Sequence, residues 1–373
     1  MTLPLDLTLD GTAEMLRWGG TDPDLPRWRA AYEQALDERL TARDTAHPDA
    51  YGPVVRALDT LPPAHRRSFL RAPQVSSLLL HDTEGTEDAE LDAALLEQAL
   101  VQELTVEGLL PARPDREVWN LRGNARRSAS GERESGEELP GLDVALDTAS
   151  PIRFPDGDFG LAAGTVRYSA EQLGTVMQRV SAAADILTAM DGAARFVDTF
   201  SEVVALREEH GPASVFHSSS FSGLVGLCRL TNAHLDSVTP GLLAESLVHE
   251  STHAMLYLYE EVREPFLRRP DANDRSVTSP WTGATIRLQS FLHACAVWYA
   301  VHWYWERARA AGLCDPAQAE ERTALARRGF RAAPAARALR EHSAVLTGSA
   351  RDLLEQLDGA TSEFTRAGGS RSS

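Results

Sequence analysis

The sequence predicts a mainly α fold of the α+β class: a large helical protein with a few short strands beside one long helix. Helix-spaced apolar residues recur along most of the 373 residues. Strand-like runs are few and short, and they fall between residues 151 and 230. Residues 239–261, TPGLLAESLVHESTHAMLYLYEE, carry an apolar surface too broad for a solvated helix. We therefore expect a buried helix there, with the strands directly before it.

Composition sets limits on partners and compartment. Hydrophobic residues make up 43% and charged residues 24%, which is ordinary for a globular protein. A net charge of -17 argues against nucleic acid or an anionic membrane surface as a partner. Three widely spaced cysteines, Cys228, Cys295 and Cys314, form neither a disulfide framework nor a CxxC metal site. With no secretory signal or membrane-spanning stretch in view, the sequence favours a cytoplasmic protein and leaves its oligomeric state open.

The N-terminal part is expected to be helical, over residues 25–41, 53–61, 64–70 and 89–107. Residues 122–138, RGNARRSASGERESGEE, contain no large apolar residue, which is typical of a flexible linker or loop. We therefore predict a helical N-terminal region at 1–121 and a metal-binding catalytic domain at 139–373. The alternative is that 122–138 is an excursion from one domain.

The second part begins with two expected short strands, at 151–160 and 164–169, around a Pro-Asp-Gly turn. Helices are predicted at 170–190 and 193–209, and again after the centre of the chain at 317–328 and 333–357. Strand-like runs broken by Ser and Gly fill 215–230. An extended peptide could add to such a strand, although a plain hairpin would look the same. His217 there is either an extra metal ligand or a hydrogen-bonded side chain.

The helix at 239–261 contains the HExxH pattern, His249, Glu250 and His253. Thr239 can cap it and Pro240 fits its first position. Residues four apart lie on one face, so both imidazoles can reach one metal ion, while Glu250 lies about 100° around the axis. The alternative is two core histidines bonded to carbonyl or carboxylate groups. Glu245, one turn earlier, is either an acceptor behind a ligand or a solvated side chain.

HExxH supplies only two protein ligands. The longer HExxHxxGxxH pattern is absent, and the glutamates that follow come too early to fold back, so we expect a solvated helix end at Glu260, Glu261 and Glu264. A further helix is predicted from about residue 285 to 306–309. His293 and His302 lie on opposite faces of it, and His293 has the more apolar surroundings. His293 is therefore the preferred third ligand, against the alternative of an ordinary packed helix pair.

Three segments, LVHESTHAMLYLYEE, SPWTG and LHACAVWYAVHWYW, resemble the HExxH-motif proteins found beside ribosomally made peptide natural products. These proteins were long labelled metallopeptidases, and part of the family is regarded as iron(II)- and 2-oxoglutarate-dependent peptide β-hydroxylases. The resemblance spans about residues 214–306. It implies that His249, His253 and His293 bind the metal. Relatives often carry an arginine directly after SPW-x-G, whereas here that position is Ala284. The nearest arginine, Arg287, is therefore the expected anchor for 2-oxoglutarate, and the alternative is that it is an ordinary surface arginine.

Three functions follow as hypotheses. The first is iron(II)/2-oxoglutarate-dependent β-hydroxylation of a ribosomally made precursor peptide, with Glu250 orienting a ligand or water. The second is a zinc metallopeptidase in which Glu250 is the general base for metal-bound water. The third is a non-catalytic peptide-binding protein with a structural metal. HExxH chemistry alone favours zinc, and the resemblance favours iron.

Overall fold

The computed structural model describes residues 8–18, 25–80, 86–150, 165–209 and 215–366. Helices dominate, and the strands are short, so the predicted mainly α fold of the α+β class is confirmed. The helices are α1 (Thr12–Met15), α2 (Leu25–Ala46), α3 (Pro48–Asp59), α4 (Pro63–Arg71), α5 (Pro73–Leu80), α6 (Thr86–Val106), α7 (Ala170–Thr188), α8 (Asp191–Phe200), α9 (Pro240–Val262), α10 (Leu288–Ala310), α11 (Pro316–Phe330), α12 (Pro334–His342) and α13 (Gly348–Arg366). The strands are β1 (Val118–Trp119), β2 (Ala125–Arg127), β3 (Arg133–Ser135), β4 (Ala145–Asp147), β5 (Thr165–Val166), β6 (Val203–Glu209), β7 (His217–Ser220), β8 (Leu227–Thr231), β9 (Ser276–Thr278) and β10 (Thr285–Arg287).

The four helices expected in the N-terminal part correspond to α2, α3, α4 and α6. Residues 122–138, expected to be a linker or loop, instead contain β2 and β3, which join β1 in an antiparallel three-stranded sheet. Cross-strand ion pairs explain how so polar a segment forms strands: Arg126 contacts Glu134 at 2.6 Å and Glu117 at 2.7 Å. The pattern of apolar residues contains no trace of such pairs.

One hydrophobic core runs through both halves of the chain. It includes Leu36 and Leu96 from the N-terminal helices together with Leu247, Tyr299 and Leu357 from the second half. The predicted division into a region at 1–121 and a domain at 139–373 stays a prediction. Within the described ranges, no helix combines the length and apolar character that a membrane span requires.

The second sheet positions the HExxH helix. Its strands follow the order β4-β6-β8-β7, with β4, β6 and β8 parallel, β7 antiparallel at the edge, and β5 also pairing with β6. The predicted helix at 193–209 is wrong in its second half, because α8 ends at Phe200 and β6 begins at Val203. The run Val203–Leu206 is buried on both faces of the sheet, as expected of a central parallel strand. The strand predicted at 151–160 lies outside the described residues.

Helix α9 lies beside the sheet and packs against α7, α8 and α10. The capping box of Ser169 and Gln172 sets the start of α7. Helix α10 begins at Leu288 rather than near 285, because Thr285–Arg287 pairs with β9 as strand β10. The single helix predicted at 333–357 is two helices, α12 and α13, separated by a short connection.

Candidate metal centre

The start of α9 is fixed as its sequence predicts. Thr239 caps the helix by accepting a hydrogen bond from the backbone N–H of Leu242 at 3.2 Å, and Pro240 occupies the first position. Most of the helix is buried. Along its middle and end, the partly exposed positions form one stripe: His249, His253, Tyr257, Glu260 and Glu261. Their spacing of three or four residues places them on one face, so both motif histidines lie on the accessible side.

The three motif side chains come together. His249, Glu250 and His253 each offer a ligand atom, and these atoms all lie within 4.8 Å of one another. The rings of His249 and His253 have their centroids 5.1 Å apart, and His249 Nε2 lies 3.9 Å from Glu250 Oε1. Among the residues that the structure describes, this is the group of His, Cys, Asp and Glu side chains that could hold a metal ion.

Strand β7 contributes a contact that the sequence did not reveal. Ser218 Oγ donates a hydrogen bond of 2.5 Å to Glu250 Oε1, and the Glu250 side chain is only 3% exposed. The hydroxyl fixes the orientation of the carboxylate. The run of serines in VFHSSSF was the available signal, but strand register decides which serine faces α9. His217, considered as an extra ligand, instead has Nε2 3.7 Å from Glu209 Oε2.

His293 reaches the centre from α10. Its Nδ1 lies 3.2 Å from His253 Nδ1. Two nitrogens bound to one ion at roughly 2.1 Å lie about 3.0 Å apart at a right angle and about 3.4 Å apart at the tetrahedral angle. The observed separation fits a hydrogen bond between the two rings and equally fits two ligands of one ion. His293 does not belong to the group formed by His249, Glu250 and His253, and its role as third ligand stays a prediction.

Burial lowers the pKa of His253 well below its usual value, and the neighbouring His249 and His293 lower it further. The imidazole is therefore neutral near pH 7. A neutral ring presents a lone pair, which is the form that binds a metal ion.

The solvated helix end predicted for Glu260 is wrong. The side chain of Glu260 is 9% exposed, and its Oε2 lies 2.9 Å from His293 Nε2. Oε2 also accepts from Gln289 Nε2 at 2.8 Å, and Oε1 accepts from the backbone N–H of Phe266 at 3.0 Å. Burial raises the pKa of Glu260, but the hydrogen bonds that its carboxylate accepts from His293, Phe266 and Gln289 outweigh burial and leave the pKa below its usual value.

The contact between Glu260 and His293 determines the tautomer of His293, because an ionised carboxylate can only accept hydrogen bonds. The proton of His293 is then on Nε2, which leaves the lone pair of Nδ1 directed toward His253. A carboxylate behind a ligating histidine in this way is a frequent feature of metal sites. The sequence contained one indication of this role for Glu260. Residues 249, 253, 257 and 260 are spaced three or four apart, so Glu260 lies on the same helical face as the two motif histidines.

Tyr257 was also missed. Its ring stacks near His253 at a centroid distance of 5.9 Å and an interplanar angle of 20°, and it lies 4.9 Å from the ring of His293. Burial raises the pKa of Tyr257, with further contributions from Glu250 and Glu260. The phenol is therefore neutral.

Two other candidates lie away from the centre. Glu245, considered as an acceptor behind a ligand, is buried and instead binds Arg322 and the indole N–H of Trp305. His302 is buried on the opposite side of α10, with its ring 4.2 Å from that of Phe364. Burial, and secondarily Arg327, lowers the pKa of His302 to about 3.

Arg287, the expected anchor for 2-oxoglutarate, is exposed and occupies the N-cap position of α10. It is the last residue of strand β10 and precedes His293 by six residues. Its role as an anchor stays a prediction.

No family model matches the chain, and no curated protein matches it either. The site therefore has to be interpreted from its own geometry. Two adjacent imidazoles, a third imidazole oriented by a carboxylate, and a tethered glutamate can hold a divalent transition metal and a water or an organic ligand beside it.

Proposed function

We propose that this protein is a metal-dependent enzyme that modifies peptides. The observation that carries the proposal is the convergence of the ligand atoms of His249, Glu250 and His253 on the accessible stripe of α9. If these histidines were only part of the hydrophobic core, we would expect their ring nitrogens to form hydrogen bonds with carbonyl or carboxylate groups. Here His253 Nδ1 lies 3.2 Å from His293 Nδ1, within hydrogen-bond distance, and a cation bound by both nitrogens would replace the hydrogen bond between the rings.

The donor set fits a borderline divalent ion. Neutral imidazole nitrogens suit zinc and iron(II), whereas calcium and magnesium favour carboxylate and carbonyl oxygens. His249 and His253 would hold the ion from α9, and His293, oriented by Glu260, would approach from α10. The ion would supply Lewis acidity or redox chemistry, depending on its identity.

A peptide is the substrate class that the surroundings favour. Strand β7 ends the sheet order among the described residues, and Ser218 on it contacts Glu250 directly. An edge strand can take up an extended peptide through main-chain hydrogen bonds. A peptide added to β7 would then run past the carboxylate and the histidines. We infer that a ribosomally made precursor peptide in the cytoplasm is the partner, as the resemblance of the sequence implies.

Within this class we favour iron(II)/2-oxoglutarate-dependent β-hydroxylation. The support is the likeness of the SPWTG and LHACAVW segments to such hydroxylases, together with a third imidazole at the centre. In this reaction O₂ would be the oxidant: one of its oxygen atoms would enter the peptide and the other would convert the keto acid to succinate and CO₂, while the metal would supply the redox chemistry that couples the two oxidations. The chain's own residues bind and orient: Glu250, held by Ser218, fixes a ligand or water, and Arg287 is the proposed anchor for the far carboxylate of the keto acid.

A zinc metallopeptidase is the second candidate, and one specific observation favours it. Glu250 lies with both histidines in one group of ligand atoms, where a carboxylate can take a proton from a water bound to the ion. In that case Glu250→Gln removes the base and abolishes turnover, and 2-oxoglutarate has no effect.

Mass spectrometry separates the two. The purified protein is incubated with synthetic copies of short peptides encoded beside its gene, with iron(II), ascorbate and 2-oxoglutarate, in air and without oxygen. We expect a mass gain of one oxygen atom that requires air, the keto acid and His249. Peptide cleaved equally in both atmospheres would replace the hydroxylase with the peptidase. Bound but unaltered peptide would indicate a non-catalytic binding protein.

A further inference from the structure

Tyr257 occupies a place in the centre that its structural contacts do not explain. It lies one turn after His253 on the accessible stripe, and its ring contacts the imidazoles of both His253 and His293. Helical side chains lean toward the N-terminus of their helix, which directs the Tyr257 ring back over His253. The aromatic contacts fix the plane of the ring and so the line along which the hydroxyl points.

The hydroxyl of Tyr257 has a different environment from those of nearby tyrosines. Tyr259 donates to Ser349 Oγ at 2.6 Å, Tyr304 donates to the carbonyl of Gly241 at 3.0 Å, and Tyr299 accepts from Arg17 at 2.7 Å. Among the hydrogen bonds of the described residues, none involves the Tyr257 hydroxyl. Tyr257 is also only partly buried. Its donor is therefore available to a bound molecule.

The centre needs such a donor. Two carboxylates already border the centre: Glu250 Oε1 lies 3.9 Å from His249 Nε2, and Glu260 Oε2 lies 2.9 Å from His293 Nε2. An anionic ligand that enters beside them meets like charge, and a neutral O–H donor offsets part of that cost. Oxygen ligands that develop or carry negative charge at a metal are often held by a tyrosine hydroxyl in this way.

We propose that the Tyr257 hydroxyl donates a hydrogen bond to an anionic oxygen of the organic ligand bound next to His253 and His293. The ligand class is a small bidentate oxygen chelator. Under the proposed function, on which this inference rests, that ligand is 2-oxoglutarate. Tyr257 is then a binding residue for the cosubstrate and does not itself ligate the metal.

The test uses the full chain loaded with cobalt(II), whose visible absorption reports ligands at the ion without any turnover. Two probes are titrated, 2-oxoglutarate and acetohydroxamate, the second being a chelator of anionic oxygen that binds zinc, iron and cobalt sites alike. Tyr257→Phe keeps the ring and its stacking and removes only the hydroxyl. Tyr259→Phe is the matched control, because it makes the same change on the buried side of the same helix.

We expect Tyr257→Phe to retain its cobalt and to weaken both probes roughly tenfold, which corresponds to about 1.4 kcal/mol. Tyr259→Phe should bind both probes as the wild type does. Acetohydroxamate binding that depends on Tyr257, without any binding of 2-oxoglutarate, would support the role of Tyr257 and refute the hydroxylase. Equal affinities in Tyr257→Phe and wild type, loss of cobalt from Tyr257→Phe, or no binding of either probe would overturn the inference.

Discussion

The substitution Glu260→Gln tests whether Glu260 orients His293 for metal binding, because it replaces one carboxylate oxygen with an NH₂ group and leaves the rest of the side chain unchanged. In the native protein both carboxylate oxygens accept: Oε2 from His293 and Gln289, and Oε1 from the backbone of Phe266. A glutamine has one oxygen and one NH₂ group, so it cannot accept at both places. If its oxygen faces His293, its NH₂ group meets the N–H of Phe266. If it is flipped, its NH₂ group faces His293 Nε2.

Each orientation has a distinct cost. The first leaves a backbone N–H without its acceptor, for which about 1–3 kcal/mol of stability is a typical loss. The second favours the tautomer of His293 with its proton on Nδ1, and that proton occupies the lone pair directed toward His253. Loss of a carboxylate behind a ligating histidine typically lowers metal affinity 10–100-fold, or about 1.4–2.8 kcal/mol. We therefore expect weaker metal binding together with a modest loss of stability.

The assay is a competition between the protein and a chromophoric chelator for zinc or cobalt, with thermal unfolding of the metal-free protein measured in parallel. Glu306→Gln is the matched control, because Glu306 lies on the same helix as His293 but pairs with Arg309 and Arg327 at the surface. A Glu260→Gln protein that binds metal as tightly as wild type would refute the argument that Glu260 presents Nδ1 of His293.

The remaining predictions concern the ligands, the anchor and pH. His249→Ala should lose the roughly one equivalent of divalent metal that wild type retains, and equal metal content in both would support core histidines instead. His293→Ala should weaken metal binding far more than His302→Ala, and equal tolerance would remove His293 from the ligand set. Arg287→Ala should raise the 2-oxoglutarate requirement about tenfold without changing metal content, and an unchanged requirement would exclude this anchor. The pKa of His302 is about 3 when folded and about 6.5 when unfolded, so its neutral form stabilises the fold above pH 6.5 and this contribution falls as pH drops toward 3. Denaturant unfolding at pH 7.5 and 5 should show wild type losing about 2 kcal/mol more than His302→Leu, and parallel losses would contradict the neutral assignment.

The sequence predicted those parts of the centre that depend on one helix. The Thr239 cap, the buried apolar surface and the shared face of His249 and His253 follow from spacing along α9, and the structure agrees with each. Glu260 was misjudged because whether a helix end is solvated depends on what packs against it. Here α10 covers that end, and its residues His293 and Gln289 supply the donors for the carboxylate.

The errors in secondary structure have the same origin. The run Val203–Leu206 has apolar residues in succession, and a buried strand and a buried helix look alike over so short a run. Its identity as β6 comes from pairing with β4 and β8, which are distant in sequence. The polar residues of β2 and β3 likewise form strands through partners across the sheet rather than through local preference.

Most side chains of the metal centre come from one helix, which makes the centre rigid. One helix, α9, carries both motif histidines, Glu250, Tyr257 and Glu260, so their mutual distances are fixed by helical geometry. Ser218 comes from β7, and His293 comes from α10. A small shift of α10 would therefore leave the two-histidine part intact and move His293 relative to His253. Because Glu260 on α9 binds His293 directly, it resists that shift and couples the third imidazole to the same rigid helix.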